Sequence, residues 1–202
     1  MVIVGLTGNV AAGKSTVAEL WRDAGVPVAS ADRLARTAVE PGSAALAEIV
    51  DLFGTGVLNE DGSLDRAAVR RRVFRDEEAL RSLEAIVHPE VRRLRDQWTE
   101  DRRAEGAPLV VWEIPLLFET GMETEVDVVI VVDAPEGVRR RRIVETRDMT
   151  QEEADAVMAA QQSAETKRSR ADIVLNNGDG RAALVAAAAQ VLQGLRSRSA
   201  RR

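Results

Sequence analysis

Gly8-Asn9-Val10-Ala11-Ala12-Gly13-Lys14-Ser15 places a lysine and a hydroxyl after a glycine-bounded turn, at the spacing GxxxxGK[ST]. That spacing suits a phosphate cradle: backbone N–H groups wrap the anion, a slim ammonium reaches the β- and γ-phosphates, and the hydroxyl ligates Mg²⁺. The cation usage of the chain sharpens the point. Lysine and arginine total 28, the lysines are Lys14 and Lys167 alone, and the other 26 are arginine. In a tightly closed loop a compact point charge fits where arginine's planar fork does not. Gly8 to Thr16 are therefore read as the ATP-binding segment, with Lys14 acting on the transferred group and Ser15 on the metal. A Ser15 that merely caps a helix is compatible with the same geometry.

Further candidates lie elsewhere. Asp32 follows a short apolar run, where a carboxylate can orient an acceptor hydroxyl and take its proton; the plainer reading is a cap for a helix starting near Arg33. Glu113 ends an apolar run, the location of a carboxylate that holds Mg²⁺ directly or through water. Arg139 to Arg142, with Arg147 beyond, read either as a solvated helical face or as lid arginines that neutralise transition-state charge, Arg142 and Arg147 being the two chosen. His88, the sole histidine, is read as structural, in a His88-Pro89 step that interrupts a helix. Asn177, in Asn176-Asn177-Gly178, offers an amide to an adenine ring or forms an ordinary turn.

The elements that position these residues follow from periodicity. Val2 to Leu6, Val26 to Ala29, Pro108 to Ile114, Val126 to Asp133 and Asp172 to Leu175 are short β-branched runs of buried-strand type. Helical stretches separate them, so the expected fold is a doubly wound α/β domain on a five-stranded parallel sheet, with ligands beyond the carboxyl ends of the strands. Residues 33–107 hold no strand pattern and are too many for one crossover helix, so they form a helical insertion. A second helical block, residues 135–170, is read as the lid. The core is then 1–32, 108–134 and 171–202.

Composition bounds the rest. The net charge of −5 and a pI near 5.2 argue against a nucleic-acid partner. Without cysteine there are no disulfides and no thiolate metal sites. Neither a signal-type N-terminus nor eighteen consecutive apolar residues are seen, so no membrane partner and a cytoplasmic location are expected.

Taken together, GLTGNVAAGKST, SADRLAR, VEPGSAAL, VFRDEEALRSLEAIVHP, IPLLFETG and AQQSAETKRSRADIVLNNG make the chain resemble the dephospho-CoA kinase family almost end to end. The resemblance implies a P-loop kinase that moves the ATP γ-phosphoryl group to the ribose 3′-hydroxyl of dephospho-CoA with Mg²⁺. It also implies that residues 33–107 bind CoA and that Asp32 is the catalytic carboxylate. Three loop positions depart from the family's usual Gly-Gly-Ile-Gly-Ser-Gly-Lys-Ser: Asn9, Ala11 and Ala12. An alanine forced to positive φ there costs energy. The usual Asp-Ala-Asp is Ser30-Ala31-Asp32, which keeps only the second acid. Two other readings share Lys14 and Ser15, namely a kinase of nucleosides or nucleotides and a regulatory P-loop ATPase.

Overall fold

The computed structural model describes residues 1–74, 76–147 and 149–200. Its five strands are β1 (Val2–Thr7), β2 (Val28–Ser30), β3 (Leu109–Glu113), β4 (Val128–Asp133) and β5 (Ile173–Asn176). All pair in parallel in the order β2-β3-β1-β4-β5, with Leu6 beside Glu113 and Thr7 beside Val131. The doubly wound parallel sheet expected from sequence is therefore present. β1, β3 and β4 are buried along nearly their whole length, as continuous β-branched runs require.

Nine helices are found among the described residues: α1 (Lys14–Asp23), α2 (Ala31–Thr37), α3 (Ala44–Phe53), α4 (Arg66–Val73), α5 (Glu77–Ala104), α6 (Glu136–Arg147), α7 (Gln151–Ala159), α8 (Ala164–Ser169) and α9 (Arg181–Ser199). The chain divides into two compact units, Met1–Ser30 with Arg102–Arg202, and Ala31–Asp101. In the first, Val2, Val4 and Leu6 pack with Val17, Trp21, Leu184 and Leu192 of α1 and α9. The Trp21 indole N–H donates to the Ala188 carbonyl at 2.9 Å, joining the two helices inside this apolar layer. In the second, Val39, Ile49, Phe53, Val57 and Val69 form a separate core.

Strand ends differ from the sequence reading for local reasons. β2 starts at Val28 because Pro27 has no N–H to give, although its carbonyl accepts from Val111 at 2.9 Å. Asp172 falls outside β5, and its carboxylate accepts from the Val129 N–H at 2.7 Å. The larger correction concerns His88-Pro89. α5 continues through Pro89 and is not interrupted there. Proline removes one helical hydrogen bond at a cost of about 3 kcal/mol. Leu83, Ile86, Val87, Val91 and Leu94 flank it and pack on the second unit's core, and their burial outweighs that loss. His88 itself is exposed.

Candidate nucleotide and phosphoryl-transfer site

The segment from Gly8 to Ser15 leaves β1 and enters α1, so the strand delivers it to the carboxyl edge of the sheet. Its shape depends on left-handed backbone at Gly8 (φ 145°) and Gly13 (φ 108°). A Cβ at Gly8 would fall inside the Val132 carbonyl oxygen, and one at Gly13 inside the Asn177 amide. Ala11 also adopts φ 57°, the sole non-glycine among the described residues to do so. The energetic cost expected from its departure from glycine is thus present in the loop.

The loop is sorted by polarity. Lys14 Nζ donates to the carbonyls of Gly8 at 2.7 Å and Asn9 at 3.3 Å. Arg142 donates to the Ala11 carbonyl at 3.2 Å, and Asn177 Nδ2 to that of Ala12 at 2.8 Å. Four loop carbonyls are thereby held by the protein. The first N–H groups of α1 have no intrahelical partner and carry the positive end of its dipole, which is the polarity that an anion needs. Gly13 is the residue that caps α1, with no side-chain bond, so Ser15 is not the cap; it lies in the first helical turn with its side chain exposed. Thr16 follows, half-buried.

Two glutamines that the residue-by-residue reading missed brace the loop from outside. Gln161 Oε1 accepts from the Val10 N–H at 2.8 Å, and the Gln162 carbonyl accepts from Asn9 Nδ2 at 3.1 Å. Both lie between α7 and α8, 151 and 153 residues from their partners. No local pattern connects groups so far apart in the chain.

The arginine run of α6 resolves into four distinct environments. Arg139 is buried at 5% exposure, Arg140 pairs with Glu136 and Asp155, Arg141 is exposed, and Arg142 bridges the P-loop to the turn after β5. Besides Ala11, Arg142 reaches the Asn177 backbone carbonyl at 3.2 Å and its Oδ1 at 3.3 Å. Asn177 is accordingly buried, with both ends of its amide engaged by protein. Arg147, the last residue of α6, is exposed.

Glu113 closes β3 between Leu6 and Ser30, half-buried at the carboxyl edge. Its carboxylate and the Ser15 hydroxyl are hard oxygen donors of the kind Mg²⁺ takes. No cluster of three acidic or histidine residues occurs among the described residues, and Mg²⁺ bound with nucleotide needs none, since phosphates and water complete its shell. Asp32 is the second residue of α2, two positions beyond β2. Its carboxylate is exposed and makes no capping bond, so the plain cap reading fails. Within the second unit a cavity of about 370 Å³ has a largely aliphatic wall, including Val39, Val69, Val73 and Val87, with Arg66, Arg70, Glu84 and His88 as its polar lining.

Comparison with known proteins extends over the whole chain. Residues 2–182 match the family model described as Dephospho-CoA kinase. A dephospho-CoA kinase of Anaeromyxobacter dehalogenans is 48% identical over 202 residues, all of this chain and 96% of the relative. One from Corynebacterium diphtheriae is 42% identical over 193 residues, 96% of each. Among solved structures, TT1252 from Thermus thermophilus superposes with a TM-score of 0.83 at 42% identity, covering 96% of both chains. A Campylobacter jejuni dephospho-CoA kinase gives 0.70 at 25%, again over 96% of both.

Proposed function

Because the chain belongs to the dephospho-CoA kinase family, we propose that it transfers the γ-phosphoryl group of ATP to the 3′-hydroxyl of the dephospho-CoA ribose, giving CoA and ADP. The observation that carries this reading is the match along the full chain, held together with a P-loop in which the Gly8, Asn9, Ala11 and Ala12 carbonyls accept from protein donors.

Each residue has a part in that reaction. The N–H groups at the start of α1 and the Lys14 ammonium hold the β- and γ-phosphates, where negative charge must be met throughout transfer. Asp32 orients the 3′-hydroxyl and takes its proton as the new P–O bond forms. Its exposed, unbonded carboxylate is available to a substrate hydroxyl. Arg147 closes over the phosphates from the end of α6, while Arg142 keeps the loop and Asn177 in register for ATP. Ser15 and Glu113 are the residues that would hold Mg²⁺, which would supply neutralisation of phosphate charge there. The second unit receives the acceptor's pantetheine arm, for which the largely aliphatic wall of its cavity is chemically suited. A cytoplasmic location accords with this reading, and no helix among the described residues is long and apolar enough to cross a membrane.

The test is turnover of ATP by the purified chain with dephospho-CoA, with a panel of nucleosides and nucleotides, and with water alone. CoA and ADP formed in equal amounts support the reading. Preference for a nucleoside overturns it in favour of another small-molecule kinase, and acceptor-independent hydrolysis in favour of an ATPase.

A further inference from the structure

Three consecutive N–H groups of the P-loop meet different fates. Ala12 donates to the Asn9 carbonyl at 3.1 Å, which closes a turn running from Asn9 to Ala12. Val10 donates to Gln161 Oε1 at 2.8 Å. The Ala11 N–H between them goes to no group among the described residues. In a loop that binds phosphate through its backbone N–H groups, it is the one of the three left for the anion. Lys14 Nζ rests on the Asn9 carbonyl of the same turn, so this is the end that meets the β- and γ-phosphates.

Which way the Ala11 N–H faces depends on the kind of turn. Ala11 is the third residue of the turn and has φ 57°, whereas Val10 is not among the positive-φ residues, which is the signature of type II. Type II asks for glycine or asparagine at that position, and alanine meets it only under strain. The relaxed alternative, type I, has negative φ at both central residues and suits an alanine. The two forms differ by a flip of the peptide that joins Val10 to Ala11, which exchanges the sides of its N–H and its carbonyl. A flipped loop offers the phosphates an oxygen.

The restraint on that flip comes from outside the loop. The rotations at Val10 and Ala11 that turn the peptide over differ by about 40°, a remainder that the peptides on either side must absorb. Gln161 Oε1 pins the one before through the Val10 N–H, and Arg142 pins the one after through the Ala11 carbonyl at 3.2 Å. The Val10 side chain is buried with Ile143 and Ala154, which anchors the same residue a second time. Gln161 is itself firmly placed. It follows Ala160, the cap of α7, its own N–H donates to the Met158 carbonyl at 3.3 Å, and Ser163 soon after caps α8. We propose that Gln161 is a positioning residue for phosphoryl transfer, whose Oε1, by holding the Val10 N–H, keeps the strained turn in the form that presents the Ala11 N–H to the phosphates; the proposal rests on ATP being the ligand of the loop.

The test pairs Gln161 with Ala11, because a brace against strain is needed only while the strain is there. Gln161→Met keeps the length of the side chain and removes the oxygen. ATP binding, measured by calorimetry without dephospho-CoA, should weaken about tenfold, since only loops in the type II form bind. The kcat at saturating ATP should stay within about threefold of wild type, because bound ATP restores that form. Adding Ala11→Gly, which removes the penalty on positive φ, should bring binding back to within about threefold of wild type. Gln161→Glu retains an oxygen for the Val10 N–H, so whatever its charge does to affinity, Ala11→Gly should add nothing there. If Gln161→Met does not fold, Gln161→Asn, one methylene short of Val10, should show the same loss and the same rescue. Unchanged ATP binding in the folded variant overturns the proposal. So does a loss that Ala11→Gly leaves in place, or a gain from Ala11→Gly as large with Gln161→Glu as with Gln161→Met. Failure of the wild type to phosphorylate dephospho-CoA removes the functional reading alone, since ATP binding decides this role by itself; failure to bind ATP removes both.

Discussion

Lys167 and Glu119 meet at 2.8 Å, the lysine entirely shielded from solvent and the carboxylate largely so. Lys167 Nζ also lies 3.5 Å from the Pro115 carbonyl, which accepts from Thr7 Oγ1 at 3.2 Å. One buried ammonium thus ties α8 to the segment after β3 and, through it, to the last residue of β1 before the P-loop. Both lysines of the chain therefore stand at or behind the phosphate site, the first at its centre and the second as an anchor.

Removing one partner of this pair should be costly, because the other is left charged and buried. Lys167→Met is expected to lower stability by about 3–5 kcal/mol, and Lys167→Met with Glu119→Leu to recover most of that. Denaturant unfolding of wild type, both single variants and the double variant gives the coupling energy; a single variant as stable as wild type sinks the argument.

Lys14→Ala should lose more than tenfold in kcat while the fold survives. A charge-assisted bond of this kind contributes roughly 1.5–3 kcal/mol, and more in a closed site. Circular dichroism beside steady-state kinetics decides it, and wild-type turnover would exclude the P-loop assignment.

Asp32→Asn keeps size and hydrogen-bonding capacity but cannot take a proton. ATP and dephospho-CoA should bind within a few-fold of wild type while kcat falls by about 10²–10⁴. Calorimetric binding of each ligand beside kcat separates the alternatives: retained turnover removes the catalytic role, and collapsed ATP binding makes Asp32 chiefly a metal-site residue.

Arg142 and Arg147 should now part company. Arg142→Ala removes donors from the Ala11 and Asn177 carbonyls, so ATP binding measured without acceptor should weaken. Arg147→Ala, at an exposed helix end, should leave that binding near wild type and lower kcat, as expected of a group engaged only on closure. Identical behaviour of the two variants would contradict the division.

Ala11→Gly should raise stability by about 0.5–1 kcal/mol, the relief of left-handed strain being partly offset by glycine's larger entropy in the unfolded chain. Ala11→Val should lower it, since a β-branched residue tolerates φ 57° less well. Thermal unfolding of both variants tests this, and an order reversed between them would refute it.

The strands, the P-loop and the helical crossover were legible because each is encoded within a few consecutive residues. The strain at Ala11 was also legible, as an alanine standing where the family places glycine. Gln161, Gln162 and Glu119 were not, since each acts on groups distant in the chain and none has a distinctive type or spacing. Lys167 did leave a trace: it is the other lysine in a chain that otherwise uses arginine. Pro89 misled because a local helix breaker was overruled by burial of its neighbours, which only tertiary packing reveals.

Four identical residues in a row on α6 stand in four different environments, since each step along a helix turns about 100°. Composition at this tract is consequently a poor guide to damage. Deletion of a single arginine codon would leave an arginine tract that still looks intact, while swinging Ile143 out of its buried seat and moving the arginine before it off the Ala11 carbonyl. An exchange at Arg141 alone, which faces solvent, would pass almost unnoticed. The tract is tolerant of spelling and intolerant of length.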